Sequence, residues 1–185
     1  MAMIKILGIA GSLRNGSFNK AILRAAAELV PEDAQVEIFD LEGIPVFNQD
    51  LEANPPQRVR ELKGMIKAAD AILLSTPEYN NSVPGVLKNA IDWASRPYGD
   101  NAWHGKTVGI MSALGGMLGA AKAQYHLRQS LVFLDVKTLK RPEVIVTFAN
   151  QKINDGKLVD EETRQKIRQL VEALVALAQS ADKKA

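Results

Sequence analysis

The sequence has no cysteine and only two histidines among its 185 residues. The absence of cysteine excludes disulfide bonds, thiolate metal ligands, cysteine nucleophiles and a Cys-x-x-Cys redox motif. Any redox chemistry must therefore depend on a bound cofactor. The histidines, His104 and His126, lie far apart in the chain without an evident carboxylate and nucleophile beside them, which disfavours a Ser-His-Asp hydrolase.

The chain also lacks an excess of charge and a long apolar run. Its 23 basic and 21 acidic residues give a net charge of +2, without a long stretch of one sign, so we expect no nucleic-acid partner. The longest apolar runs fall far short of the roughly 20 residues that a membrane span needs, and the N-terminus does not resemble a signal peptide. These features predict a cytoplasmic location without membrane contact.

The acidic cluster at residues 160–162 stands where a helix is expected to begin. Acidic side chains there stabilise the helix dipole, so we predict no metal site. Hydrophobic residues make up 46% of the chain and charged residues 24%, as in ordinary globular proteins. The length fits one domain, which we assign to residues 1–185.

Buried-strand patterns alternate with helical ones along the chain. The predicted strands are residues 4–10, 36–39, 71–75, 107–112 and 143–148, and the predicted helices are residues 22–30, 58–69, 86–95, 120–133 and 160–178. This alternation predicts an α/β fold, a doubly wound five-stranded parallel sheet with helices on both faces. Ligands of such sheets bind beyond the carboxyl ends of the strands, so the loops after strands one, three and four matter most.

The first loop, residues 11–19, reads GSLRNGSFN and leads into a helix. Hydroxyl and amide side chains together with Arg14 at a helix N-terminus are typical of a phosphate site. A simpler interpretation is that Ser17 or Asn19 caps the helix and Arg14 is solvated. A P-loop would need Lys where Ser17 stands, and the G-x-G-x-x-G pattern is absent, so an NTPase and an NAD-binding Rossmann domain are disfavoured.

The second loop, residues 76–85, and the third loop, residues 112–119, have unusual compositions. The second reads TPEYNNSVPG and would expose backbone N–H and C=O groups to the edge of a planar heterocycle, with Tyr79 near its face. The third reads SALGGMLG, and its paired glycines allow close approach of a flat ligand. Either loop could instead be an ordinary connection.

The motifs GSLRNGSFN, PEYNNSVPGVLKNAIDW and SALGGMLGA together resemble the NADPH-dependent FMN reductase family of flavodoxin-like folds, which includes bacterial quinone and chromate reductases. The resemblance runs from about residue 4 to residue 148. It implies a bound FMN and NADPH or NADH as co-substrate. Hydride would pass through FMN to a small acceptor, such as a quinone, free flavin, azo compound or chromate, by a ping-pong mechanism. No side chain is implied as a nucleophile or general base.

The resemblance also implies roles for individual residues. The FMN phosphate would be held by Ser12, Arg14, Ser17 and Asn19. The isoalloxazine ring would be lined by Pro77, Glu78, Tyr79 and Asn80 on one side and by Ser112, Gly115 and Gly116 on the other. A homodimer or homotetramer is implied, with Lys122, Tyr125 and Glu143 as candidate contacts.

Two other functions stay open at this point. A flavodoxin-type electron carrier would bind FMN without turning over NAD(P)H. Such carriers usually have a strongly acidic surface, whereas the net charge of +2 and Arg14 favour a reductase. An interaction domain without FMN would leave Arg14, Ser17 and Asn19 without a common purpose.

Overall fold

The structure is a computed structural model that describes residues 3–182, with side chains through residue 180. Its strands are β1 (Ile4–Ala10), β2 (Ala34–Phe39), β3 (Ala71–Thr76), β4 (Thr107–Ala113), β5 (Lys137–Thr138), β6 (Val144–Val146), β7 (Ile153–Asn154) and β8 (Lys157–Leu158). Its helices are α1 (Phe18–Leu29), α2 (Gln57–Ala68), α3 (Gly85–Ala94), α4 (Ala121–Val132), α5 (Ala149–Lys152) and α6 (Glu161–Asp182). None of these described helices is long and apolar enough to span a membrane.

One parallel sheet organises the chain. Its strand order is β2-β1-β3-β4-β5, and β6 pairs with β4 as well. The chain moves from β1 to β2 on one side and then crosses to β3 on the other, so the strand order reverses between β1 and β3. Such a reversal opens a crevice at the carboxyl edge of the sheet. The predicted doubly wound, flavodoxin-like fold is confirmed.

The fifth position in the sheet is divided, which the sequence did not predict. The expected strand at residues 143–148 is reduced to β6, which pairs with the end of β4, and the unpredicted β5 pairs with its beginning. Pro142 lies between the two segments. Because proline has no N–H to donate to a ladder, it cannot continue a regular strand there.

Apolar cores fill both faces of the sheet. On one face, Ile22 and Leu23 of α1 pack with Leu170 and Leu174 of α6. On the other face, the buried stripes of α2, α3 and α4 pack together with Trp103. Because β3 and β4 are buried along their whole length, their carboxyl ends form a fixed base for the loops that follow them.

Candidate functional site

The structure brings the three predicted loops together at the carboxyl edge of the sheet. The first loop follows β1, the second follows β3, and the third follows β4, the neighbour of β3. The Gly11 N–H donates to the Ser75 carbonyl at 2.8 Å. A Cβ at Gly11 would lie 3.0 Å from Pro84 Cγ, so the first and second loops are in close contact.

Hydroxyl groups and N–H groups converge at the start of α1. Ser12 and Ser17 are both buried. The Arg14 N–H donates to Ser12 Oγ at 3.3 Å, and the Lys20 N–H donates to Ser17 Oγ at the same distance, so Ser17 does cap α1. Both hydroxyls keep their own proton to donate, and the N–H groups of the first helical turn have no partner within the helix. This set of donors suits an anion.

Two cations of the first loop and the first turn of α1, Arg14 and Lys20, differ in how they are paired. Lys20 Nζ lies 2.7 Å from Asp40 Oδ2. Burial opposes the ionised form of Asp40, but the Lys20 ammonium and the Glu42 N–H outweigh it and lower the pKa of the carboxyl. Arg14 is exposed, with its guanidinium carbon 5.5 Å from the centre of the Phe18 ring. Arg14 is therefore the cation better placed to meet a ligand phosphate.

The Asn19 side chain, predicted to contact the phosphate, forms hydrogen bonds within the protein. It is buried, donates to the Ala113 carbonyl at 2.9 Å and accepts from the Ala113 N–H at 3.0 Å. The Ser75 hydroxyl lies 3.0 Å from the Asn19 carbonyl and 3.1 Å from its Oδ1. The Asn19 side chain thus joins α1 to the ends of β3 and β4 and positions the first loop.

The second loop contains a tight turn. Tyr79 and Ser82 exchange backbone hydrogen bonds of 3.2 and 3.0 Å, and Asn80 and Asn81 between them have φ values of 50° and 61°. Asparagine tolerates this left-handed conformation better than most residues, which explains the Asn-Asn pair. Pro77 is buried below the turn, whereas Tyr79 and Asn80 are exposed, as a contact with a ligand requires.

Helix α4 contacts this turn and the residue before it. One carboxylate oxygen of Glu78 accepts from the Ala123 N–H in the first turn of α4 at 3.1 Å. Lys122 Nζ donates to Asn81 Oδ1 at 3.0 Å. Lys122, which is expected at a subunit contact, bonds to the second loop of its own chain. The Glu78 carboxylate accepts a hydrogen bond at the N-terminus of α4.

The hydroxyl of Ser112 is also occupied within the protein. It donates to the Gly119 carbonyl at 2.6 Å and accepts from Gln124 Nε2 at 2.9 Å, and the residue is fully buried. Gln124 Nε2 lies 2.8 Å from the Val144 carbonyl as well. Ser112 thus connects the third loop to Gln124 of α4, and its contact with a flat ring stays a prediction.

The glycines of the third loop fall into two kinds. Gly119 has φ of +55°, and a Cβ there would lie 2.6 Å from Ile145 Cγ2, so the fold itself requires glycine. Gly116 would meet no atom within 4 Å, and Gly115 would make only ordinary contacts with Asn150 and Phe18. Neither packing nor a left-handed backbone explains the paired glycines, and close approach of a flat ligand stays the prediction for them.

Sequence reasoning missed three residues that shape the site: Ser75, Gly119 and Gln124. Gln124 could have been found, because it lies on the apolar stripe of α4 at helical spacing from Ala120 and Leu127 and is buried with them. A buried amide needs partners, which indicates a structural contact. Nothing in the sequence distinguishes the left-handed Gly119 from its neighbours Gly115 and Gly116.

Comparison with known proteins agrees with this geometry. Residues 4–151 match the family model described as NADPH-dependent FMN reductase. The chain is 50% identical over 173 residues to an NAD(P)H-dependent FMN reductase of Pseudomonas aeruginosa, covering 92% of this chain and 93% of the relative. It is 40% identical over 174 residues to a 2-hydroxy-1,4-benzoquinone reductase of a Burkholderia species, covering 94% and 95%.

A solved structure gives the same result. The flavoenzyme NAD(P)H:(acceptor) oxidoreductase FerB of Paracoccus denitrificans superposes with a TM-score of 0.89 and 33% sequence identity, over 97% of this chain and 99% of that one. The family match covers the sheet and all three loops. The chain belongs to the NADPH-dependent FMN reductase family and is an oxidoreductase.

Proposed function

We propose that the protein oxidises NAD(P)H and reduces quinones through an FMN held by its three loops. The observation that carries this proposal is the pairing of an anion site at the start of α1 with two glycines, Gly115 and Gly116, that no contact among the described residues requires. The 2-hydroxy-1,4-benzoquinone reductase relative supports the choice of a quinone. Free flavin, azo compounds and chromate stay predictions as acceptors.

The residues at the first loop fit the phosphate of FMN. Ser12 and Ser17 would donate their hydroxyl protons, Arg14 would supply the charge, and the N–H groups that begin α1 would complete the donor set. Asn19 would contribute its backbone N–H and keep its side chain on Ala113. The phosphate would thus be held by hydroxyls, N–H groups and one guanidinium.

The second and third loops fit the two sides of a flat ring. The backbone of residues 77–80 would meet the ring edge, with the half-exposed Tyr79 beside it. Gly115 and Gly116 would allow the ring to approach the third loop without a side chain between them. Glu78 and Ser112 would support these loops through Ala123 and Gly119.

The protein's contribution to the chemistry is to bind and to orient. When bound, FMN supplies the ring that accepts two electrons from NAD(P)H and passes them to the acceptor. Overall, NAD(P)H, a proton and a quinone give NAD(P)⁺ and a hydroquinone. N–H groups of the second loop and the N-terminus of α1 would stabilise negative charge in the site. The proposal assigns no side chain as nucleophile or general base.

We also infer a homodimer or homotetramer. Tyr125, Val132 and Phe133 on and after α4 are 57%, 75% and 87% exposed, an unusual exposure for apolar side chains that lie along one helix. Glu143 is exposed as well. Because Lys122 bonds to Asn81, Tyr125 is the better candidate of the expected contacts. A monomer by sedimentation at micromolar protein would contradict this assembly.

Steady-state kinetics of the FMN-loaded protein test the proposed function. We expect NAD(P)H oxidation with a benzoquinone as acceptor, and double-reciprocal plots that stay parallel as the quinone concentration changes. Intersecting lines would contradict the ping-pong mechanism. A protein that retains FMN but does not consume NADPH or NADH would instead be an electron carrier.

A further inference from the structure

We propose that Lys122 and His126 of α4 are positioning residues for the turn of the second loop, residues 79–82. The proposal rests on the proposed function, because that turn would meet the ring of FMN. Lys122 Nζ bonds to Asn81 Oδ1 at 3.0 Å, and His126 Nδ1 lies 3.1 Å from Ser82 Oγ. Residues 122 and 126 are one helical turn apart, so one face of α4 contacts the last two residues of the turn.

The turn needs this support because it has little of its own. It consists of one bridge between Tyr79 and Ser82 with no strand continuing from it. An isolated hairpin bridge is marginal in water, and two consecutive left-handed asparagines add backbone strain. The contacts from α4 favour this conformation over the extended alternatives open to an exposed loop.

A third contact fixes where α4 stands relative to the turn. Ala120, at the N-cap of α4, provides no side-chain hydrogen bond to the helix. The Glu78 carboxylate takes that place by accepting from the Ala123 N–H, and a negative charge is favoured at a helix N-terminus. The chain is thus tied to α4 just before the turn by Glu78 and within it by Lys122 and His126.

These two residues are better explained by positioning than by packing. Lys122 and His126 are both exposed, so neither fills the core. Their partners, Asn81 and Ser82, stand directly after Asn80, a residue expected at the ring. A small movement of the turn would therefore move backbone groups at the proposed ring site, and we expect it to change flavin affinity and potential.

Hydrogen exchange of the FMN-free protein tests the contacts directly. In Lys122→Met and His126→Leu, we expect the Tyr79 and Ser82 amides to exchange about three- to tenfold faster than in the parent protein, and His126→Asn to restore protection because its amide replaces Nδ1. Gln129→Leu, an exposed change further along α4, serves as the control. Unchanged exchange in both variants would overturn the proposal, whether or not the protein binds FMN.

The FMN-loaded protein provides the second readout. We expect the double variant Lys122→Met, His126→Leu to raise the FMN dissociation constant about tenfold and to shift the flavin midpoint potential. Its melting temperature should equal that of the control variant Gln129→Leu. A double-mutant cycle of Lys122→Met with Asn81→Gly should show non-additive effects on FMN affinity. If the parent protein binds FMN and turns over, but the effects of the two substitutions are additive and the flavin potential does not shift, the positioning role is rejected. The proposed function would stand in that case.

Discussion

Asn19 forms two hydrogen bonds with Ala113, one to its carbonyl at 2.9 Å and one from its N–H at 3.0 Å, across 94 residues of sequence. The side-chain amide thereby pairs with the end of β4 as a neighbouring strand would. It sets the start of α1, where the phosphate would bind, at a fixed place relative to the third loop. One buried side chain thus connects the two sides of the candidate cofactor site.

We expect Asn19→Ala to destabilise the protein. The change leaves the N–H and carbonyl of Ala113 without their partner in a buried place, while the Ser75 hydroxyl keeps only the backbone carbonyl of residue 19, so the free energy of unfolding should fall by about 2–4 kcal/mol. Urea unfolding measures this. Asn15→Ala, an exposed change in the same loop, is the control, and equal stability of the two variants would contradict the bridging role.

Arg14→Ala should act on the cofactor rather than on the fold. Loss of a charge-assisted contact to phosphate should weaken FMN binding by about 1.5–3 kcal/mol, or roughly ten- to a hundredfold. Because Arg14 is exposed, the melting temperature should not change. Quenching of flavin fluorescence gives the dissociation constant, with the exposed Arg168→Ala as the matched control. Equal affinities in the two variants would remove Arg14 from the phosphate site.

Two glycines of the third loop should differ in their effect on stability and on FMN affinity. Gly119→Ala forces a Cβ into a left-handed backbone and against Ile145, so we expect a loss of about 2 kcal/mol or more in the free energy of unfolding. Gly116→Ala meets no protein atom within 4 Å and should leave stability within about 0.5 kcal/mol while FMN affinity falls.

The two alanine variants are compared by thermal unfolding of the FMN-free protein and by FMN titration. If Gly116→Ala binds FMN as tightly as the parent protein, the ring does not approach the third loop at that position. If Gly119→Ala is as stable as Gly116→Ala, the third loop does not require the left-handed glycine.

Asp160 should contribute stability that depends on pH. It accepts hydrogen bonds from the hydroxyl and the N–H of Thr163 at the start of α6, and these lower the pKa of its carboxyl below the ordinary value of 3.8. Because the folded-state pKa is lowered, this stabilisation is present above the ordinary value and is lost as the pH falls through the folded-state value. Asp160→Ala should cost about 1 kcal/mol near neutral pH.

Urea unfolding of Asp160→Ala and the parent protein across this acidic range checks the sign. Their difference in unfolding free energy should shrink as the pH falls below 3.8. Glu161→Ala, a change at a highly exposed neighbour, is the control. A difference that grows on acidification would contradict the account of Asp160.

The sequence predicted the sheet and the three loops because buried parallel strands are continuous apolar runs and their order is constrained by crossovers. It did not predict which polar side chains face inward. Asn19 and Ser112 look like ligand contacts in a linear motif. In the structure Asn19 bonds to Ala113, 94 residues away, and Ser112 bonds to Gly119 and Gln124 on the far side of the third loop. Such pairings depend on tertiary distances.

The most direct test of the central claim is anaerobic stopped-flow absorbance of the FMN-reconstituted protein mixed with NADPH and, separately, with NADH. The account predicts rapid loss of the oxidised flavin band with at least one nucleotide and its return when a benzoquinone is added. A protein that holds FMN and is reduced by dithionite, but by neither nucleotide, would contradict the account.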